Sequence, residues 1–189
     1  MSTFKTEGVV LRRENYREYD RIFTLLTPEY GKITCSAAGV RKIKSKHAGH
    51  LEPWTQTHLM IANGRLGYYR LATSTTINCF AHISHNLITL IAANNCIDMC
   101  DKAIQEDQPD IDAYQMLVST LELLNEHASK YCSRERQCVQ TIPPKRGGEI
   151  SHEHERTVFD SEAVFLARAF GFKLLSHLGY KPELLICIV

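Results

Sequence analysis

The chain has 189 residues, of which 44% are hydrophobic and 23% are charged. This length allows one large or two small domains, and the composition is that of a globular chain with its own core rather than a disordered one. The net charge of +1 conceals an asymmetry. Residues 1–70 carry +6 (12 Lys/Arg against 6 Asp/Glu) and residues 71–189 carry −5 (10 against 15), so we expect the first half to meet a polyanion.

Signals that direct a protein to a membrane or to secretion are missing from the pattern. The N-terminus lacks an apolar core of the signal-peptide kind, and the most apolar stretch, residues 86–100, contains Asn94, Asn95 and Asp98. The seven cysteines are widely scattered, which favours reduced, mostly buried thiols over a disulfide framework. These features predict a cytoplasmic protein.

The first 78 residues show the alternation of short β-strands. Pro28–Gly31 and Asn63-Gly64 supply tight turns between them. The strands are expected at residues 5–13, 21–27, 32–38, 55–62 and 66–77. Such a series predicts a small closed barrel at residues 1–78. A five-stranded OB-fold is the simplest answer, and an SH3-like barrel fits the spacing nearly as well.

After Asn78 the apolar residues recur with the period of a helix. Helices are expected over residues 80–104, from Pro109-Asp110 to near His127, and over residues 160–177, the last ended by Gly179. The polar stretch 133–156 contains Pro143-Pro144 and Gly147-Gly148, and we interpret it as an extended loop. The fold class is therefore α+β, with an OB-fold barrel followed by a helical domain at residues 79–189.

Candidate metal ligands are weak. Cys132, Cys138, His152 and His154 are potential zinc ligands, but their spacing matches none of the usual structural patterns. Cys79 with His82 and His85 is better explained as structural. Phosphate-binding, nucleophile-elbow and zinc-protease motifs are also missing from the sequence, so we expect neither a metal, nor a cofactor, nor an enzyme. Whether the loop holding Cys132 and Cys138 binds metal stays open.

The segment from Gly39 to Pro53 is the most basic part of the chain. Arg41, Lys42, Lys44 and Lys46 lie within it, against a single acid, Glu52. Two interpretations stay open: a solvated loop that keeps the protein soluble, or a phosphate-binding loop.

Aromatic residues accompany this segment. Trp54 follows it, Tyr68 and Tyr69 lie on the fifth strand, and Tyr16, Tyr19 and Tyr30 lie near turns. Basic groups with aromatic platforms are typical of single-strand nucleic-acid binding. The alternative is that the rings fill the core of the barrel. The acids Glu14, Glu18 and Asp20 alternate with Arg13, Arg17 and Arg21, which we interpret as a surface ion-pair network.

Several short motifs in order carry a family resemblance. They are Glu7-Gly8-Val9-Val10-Leu11, Tyr16 to Ile22, Thr27-Pro28 with Gly31-Lys32, Ala38-Gly39-x-Arg41 continuing through Lys44-Ser45 to Leu51-Glu52-Pro53, and Leu178-Gly179-Tyr180-x-Pro182. In this combination the chain resembles the RecO family of bacterial recombination and repair proteins, most closely over residues 5–75.

The resemblance implies an OB-fold domain followed by a helical domain, and a non-enzymatic, cytoplasmic, nucleoid-associated protein. It implies binding to single- and double-stranded DNA, annealing of complementary strands, and work with RecR and single-stranded-DNA-binding protein to load RecA. The residues it assigns to DNA are Lys32, Arg41, Lys42, Lys44, Lys46, Arg65 and Arg70.

The chain departs from the family pattern at its C-terminal end, and other functions stay open beside the one that the resemblance implies. Many members carry a four-cysteine zinc element where Cys187 stands here, and the sequence ends just beyond it, so we expect a C-terminally truncated chain without that site. The alternative function is an OB-fold protein-interaction module that binds an acidic partner. A metal-dependent hydrolase is a remote third.

Overall fold

The computed structural model describes residues 3–42, 51–64, 69–141 and 152–180, without the side chains of residues 131–141 and 152–160. Its strands are β1 (Thr3–Tyr16), β2 (Asp20–Thr27), β3 (Gly31–Ala37), β4 (Gln56–Asn63) and β5 (Tyr69–Asn78). A 3₁₀ turn at Ala81–His85 precedes the helices α1 (Leu87–Ala103), α2 (Ile111–Thr141) and α3 (His152–His177). None of the described helices combines the length and the apolarity needed to cross a membrane.

The five strands close into a barrel in the order β1-β2-β3-β5-β4. β5 is inserted between β4, with which it is antiparallel, and β3, with which it is parallel at Cys35–Tyr69 and Ser36–Arg70. This Greek-key closure is that of the OB-fold, so the predicted barrel is confirmed and the SH3-like alternative is set aside.

Strand β1 serves two neighbours because it bends. Its first half pairs with β4 and its second half with β2, and the register shifts between Val10 and Arg12. Gly8 lies at the change of partner, where a Cβ atom would stand 2.9 Å from Leu59 Cδ1. A glycine and a bulge are the usual means of turning a strand around the corner of a barrel.

Alternate side chains of the strands fill the barrel. Fully buried members of this core include Val10, Phe23, Leu25, Ile33 and Ile61. Cys35 is buried among them, and burial raises the pKa of its thiol to about 12, so it stays protonated at neutral pH. Of the cysteines whose side chains are described, Cys96 and Cys100 are also buried, whereas Cys79 is exposed.

The chain divides into two compact units. The first comprises residues 1–79 with 97–118, and the second comprises residues 80–96 with 119–189. In the first unit a segment after α1 runs beside β3, where the Asp107 N–H donates to the Lys32 carbonyl oxygen at 3.0 Å. In the second unit His127 Nε2 lies 3.0 Å from Glu162 Oε2 and joins α2 to α3. The predicted domain boundary after residue 78 stays a prediction.

The helix ends follow capping rules. Asn86 caps α1, because its Oδ1 accepts the N–H of Ile88 at 2.8 Å, and this cap separates the 3₁₀ turn from the helix. Asp110 caps α2 by accepting the Ala113 N–H at 2.9 Å. After α3, Gly179 adopts a φ of 87° and the Tyr180 N–H donates to the Leu175 carbonyl at 2.9 Å, which ends the helix as predicted.

The prediction of an extended loop over residues 133–156 is wrong at both ends. α2 continues to Thr141, and α3 begins at His152. Residues 128–141 contain neither Gly nor Pro, and their Lys, Arg, Glu and Gln residues are good helix formers. Polarity alone therefore does not end a helix. The helix-breaking Pro143-Pro144 and Gly147-Gly148 fall within residues 142–151, outside the described part of the chain.

Candidate nucleic-acid interface

The β1–β2 turn and the segment that follows β3 are tied together by two hydrogen bonds. The Gly39 N–H donates to Asp20 Oδ1 at 2.8 Å, and the Arg41 N–H donates to the Tyr19 carbonyl oxygen at 3.0 Å. Gly39 adopts a φ of 69°, a conformation that glycine tolerates best. These contacts hold the first residues of the basic segment, Arg41 and Lys42, beside the turn.

We call Tyr16, Arg17, Tyr19, Arg41 and Lys42 the loop cluster. The Arg17 guanidinium carbon lies 5.1 Å from the centre of the Tyr16 ring, and Lys42 Nζ lies 5.5 Å from that of Tyr19. Both rings remain well exposed, at 43% for Tyr16 and 45% for Tyr19. The cluster thus presents cations and aromatic faces together at one edge of the barrel.

A cleft of about 270 Å³ lies beside the loop cluster. Its lining residues are Tyr16, Arg17, Asp20, Ser36, Ala37, Ala38, Gly64 and Arg70. The lining residues in and just after β3, and the one just after β4, are small, whereas Tyr16, Arg17 and Arg70 are long. The cleft lies on the β2–β3 side, between the β1–β2 turn and the β4–β5 connection, where OB-folds usually bind their ligands.

The acids near the cluster make local contacts. Asp20 accepts the hydrogen bond from the Gly39 N–H that ties the two segments. The Tyr19 hydroxyl donates to the Glu18 carboxylate, and this hydrogen bond raises the pKa of the phenol. Tyr19 therefore stays a neutral side chain at physiological pH. The loop cluster and Arg70 together carry four positive charges, whereas Glu18 and Asp20 carry two negative charges.

The predicted DNA-binding residues separate into three groups. Arg41, Lys42 and Arg70 are exposed and lie at the loop cluster and the cleft. Lys44, Lys46 and Arg65 lie outside the described residues. Lys32 is 11% exposed, and its Nζ donates to the Asp101 carbonyl oxygen at 2.5 Å. Because that ammonium is held inside the first unit, we leave Lys32 out of the interface.

The aromatic residues divide between core and surface. Tyr30 and Tyr69 pack against Phe4, with ring centres 4.2 Å and 5.8 Å from the Phe4 ring, and both contact the barrel core. Trp54 is half-buried, and Tyr68 falls outside the described residues. Tyr16 and Tyr19 are therefore the described tyrosines of the barrel that face solvent most fully.

The described side chains do not support a metal site. No group of three or more His, Cys, Asp or Glu side chains converges among them. His82 and His85 approach each other edge to face, with ring centres 5.8 Å apart. The side chains of Cys132, Cys138, His152 and His154 lie outside the described set. The hypothesis that these four residues bind zinc therefore stays untested.

Comparison with known sequences bears on the whole chain. The sequence profile described as Recombination protein O N terminal matches residues 1–80. A DNA repair protein RecO of Bifidobacterium adolescentis is 36% identical over 191 aligned residues, which cover 100% of this chain and 64% of the relative. The chain belongs to the RecO family. The resemblance inferred from the motifs is thus confirmed.

Two other RecO relatives are similar to almost the whole chain. A DNA repair protein RecO of Roseiflexus is 29% identical over 185 residues, covering 97% of this chain and 53% of the relative. One from Dehalococcoides mccartyi is 29% identical over 184 residues, covering 97% and 59%. The chain spans 53–64% of the length of these three curated RecO relatives.

Arg17 is the residue at this candidate interface that sequence reasoning misplaced. The acid–base alternation over residues 13–21 predicted an ion-pair network. In the described structure Arg13 pairs instead with Glu52, while Arg17 lies over Tyr16. The signal that would have found Arg17 was its place in the β1–β2 turn of a predicted OB-fold, because that turn borders the usual binding face.

Proposed function

We propose that this RecO-family chain acts in DNA repair and recombination by holding the phosphate backbone of DNA at the loop cluster and along the Arg70 side of the cleft. One observation carries the proposal. Arg17, Lys42 and Arg70 come from three separate stretches of the chain and lie on the ligand-binding side of an OB barrel, and the hydrogen bond from the Arg41 N–H to Tyr19 holds Arg41 beside them. Nothing in this role requires a covalent bond to be made or broken.

Charge neutralisation supplies the affinity in this proposal. Each Lys or Arg that meets a phosphate releases a condensed counterion, and this release favours binding whatever the base sequence. Lys44 and Lys46 continue the basic segment directly after Lys42, and Arg65 follows the cleft residue Gly64. We therefore include these three residues in the proposed interface.

The remaining assignments come from the family resemblance and belong to the same proposal. They are binding of both single- and double-stranded DNA, annealing of complementary strands, and cooperation with RecR and single-stranded-DNA-binding protein in loading RecA. A cytoplasmic, nucleoid-associated location would follow from them. In this proposal the chain is not an enzyme.

Salt dependence tests the proposal. We expect the chain to bind a fluorescent single-stranded oligonucleotide with log K falling linearly against log salt. At roughly −0.7 per phosphate contact, the slope is about −2.8 if the four described cations bind, and about −4.9 if Lys44, Lys46 and Arg65 join them. Undetectable binding at low salt would refute the proposal. Equally tight binding of an acidic peptide would favour the interaction-module alternative.

Asp20 gives a test in which charge and geometry predict opposite results. Asp20→Asn removes a negative charge but keeps an oxygen that accepts the Gly39 N–H, so affinity for single-stranded DNA should rise about two- to fourfold. Asp20→Ala removes the same charge together with the acceptor. If the bond positions Arg41 and Lys42, the alanine variant should bind about fivefold more weakly than the asparagine variant, in line with about 1 kcal/mol for one hydrogen bond. Equal affinities of the two variants would show that the bond does not position these cations.

A further inference from the structure

Two exposed tyrosines, Tyr16 at the end of β1 and Tyr19 in the β1–β2 turn, have no packing role among the described residues. The barrel core is closed by other residues, and Phe4, Tyr30 and Tyr69 complete it from the side. Tyr16 and Tyr19 instead stand 43% and 45% exposed, each with a cation over its ring. A cation covers one face of a ring, and the other face remains available for stacking.

The cleft beside Tyr16 suits a flat group. Ser36, Ala37, Ala38 and Gly64 contribute small side chains or none, and Arg70 stands among them as a donor. The volume of about 270 Å³ falls below the roughly 300–1,000 Å³ of sites that enclose a drug-sized ligand. A single nucleobase with its sugar fits such a space better than a larger molecule does.

We infer that Tyr16 and Tyr19 stack on unpaired bases, and that they make this face prefer single-stranded to double-stranded DNA. The inference rests on the proposed function, since Arg41, Lys42 and Arg70 must hold the phosphates of the same strand. Bases of a duplex hide their faces in the helical stack, so a duplex engages only the cations. An unpaired strand engages the cations and the rings together.

The first experiment compares two double variants with the wild-type chain. Affinities for a single strand and for a duplex of equal length are measured by fluorescence anisotropy at one salt concentration. Tyr16→Leu/Tyr19→Leu should weaken single-strand binding at least about tenfold, because stacking on one aromatic residue already contributes that order of affinity. Duplex binding should change less than about twofold, and the salt slope should not change, because every cation is retained. Tyr16→Phe/Tyr19→Phe keeps both rings and should bind like the wild type.

The outcomes separate this inference from the proposed function. A wild-type chain that binds neither DNA refutes the proposed function. A wild type that binds both DNAs, with a leucine variant whose preference for single strands is unchanged, refutes only the stacking inference.

A second measurement does not depend on the variants folding. A wild-type complex with a single strand that carries 5-iododeoxyuridine is irradiated, and the cross-linked peptide is identified by mass spectrometry. The expected cross-links are at Tyr16 or Tyr19. Cross-links confined to other residues would overturn the inference.

Discussion

The double variant Arg41→Glu/Lys42→Glu is expected to lose at least about a hundredfold in affinity for single-stranded DNA near physiological salt. Removing two phosphate contacts weakens binding by about tenfold at roughly 0.15 M salt, and reversing the charges repeats that loss. The salt slope should become shallower by at least about 1.4. Both side chains are exposed, so the fold should be unchanged by circular dichroism. Anisotropy titrations at several salt concentrations measure both effects.

A matched control separates local contacts from net charge. Lys102→Glu/Lys130→Glu changes the total charge by the same amount. These lysines are exposed on α1 and α2 and pair with Asp98 and Glu126. The affinity of this control for DNA should stay within about threefold of the wild type, because neither lysine belongs to the loop cluster or lines the cleft. If the control loses as much affinity as Arg41→Glu/Lys42→Glu, the binding follows overall charge and the assigned interface is wrong.

Gly31→Ala is expected to destabilise the barrel strongly. Gly31 has a φ of 66°, and a Cβ atom built there would lie 1.9 Å from the carbonyl oxygen of Gln108. The Gln108 atoms that the Cβ meets are backbone and cannot swing aside, so relief requires the β2–β3 turn to separate from the segment before α2. We expect a loss of about 3 kcal/mol or more in the free energy of unfolding, measured by urea denaturation.

Gly39→Ala isolates the contribution of the clash. Gly39 has nearly the same φ, 69°, but among the described residues its added Cβ would meet only the Lys42 side chain, at 3.6 Å from Cδ and 3.8 Å from Cε. The expected cost is the backbone penalty alone, about 1–2 kcal/mol. Similar losses for Gly31→Ala and Gly39→Ala would show that the contact with Gln108 does not matter.

The barrel could be predicted from sequence because its information is local. Alternating burial and turn residues fixed each strand to within a few residues, as for β3, predicted at 32–38 and found at Gly31–Ala37. The long helix ends were missed for a different reason. The polar residues after His127 were interpreted as a loop, although their helix propensities and the location of the Pro and Gly pairs favoured continuation.

The interface was only partly predictable because its geometry depends on distant residues. Lys32 and Lys42 look alike in the sequence, yet Asp101 holds the first and the Tyr19 ring lies beneath the second. Asp101 is 69 positions from Lys32, and no local pattern reports such a contact. The cleft likewise required β5 to cross beside β3, which brings Arg70 next to Ser36.

Because of this crossing, the cleft borders the shortest strand pairing among the described residues of the barrel. In the part of the chain that the structure describes, β3 and β5 pair where Cys35 meets Tyr69 and Ser36 meets Arg70, whereas the antiparallel ladders on the other sides run much farther. Thermal opening of this short parallel seam would part Arg70 from Ser36 and leave the longer ladders in place. The groove could then widen to admit a strand, and close again on it, at little cost to the remainder of the fold.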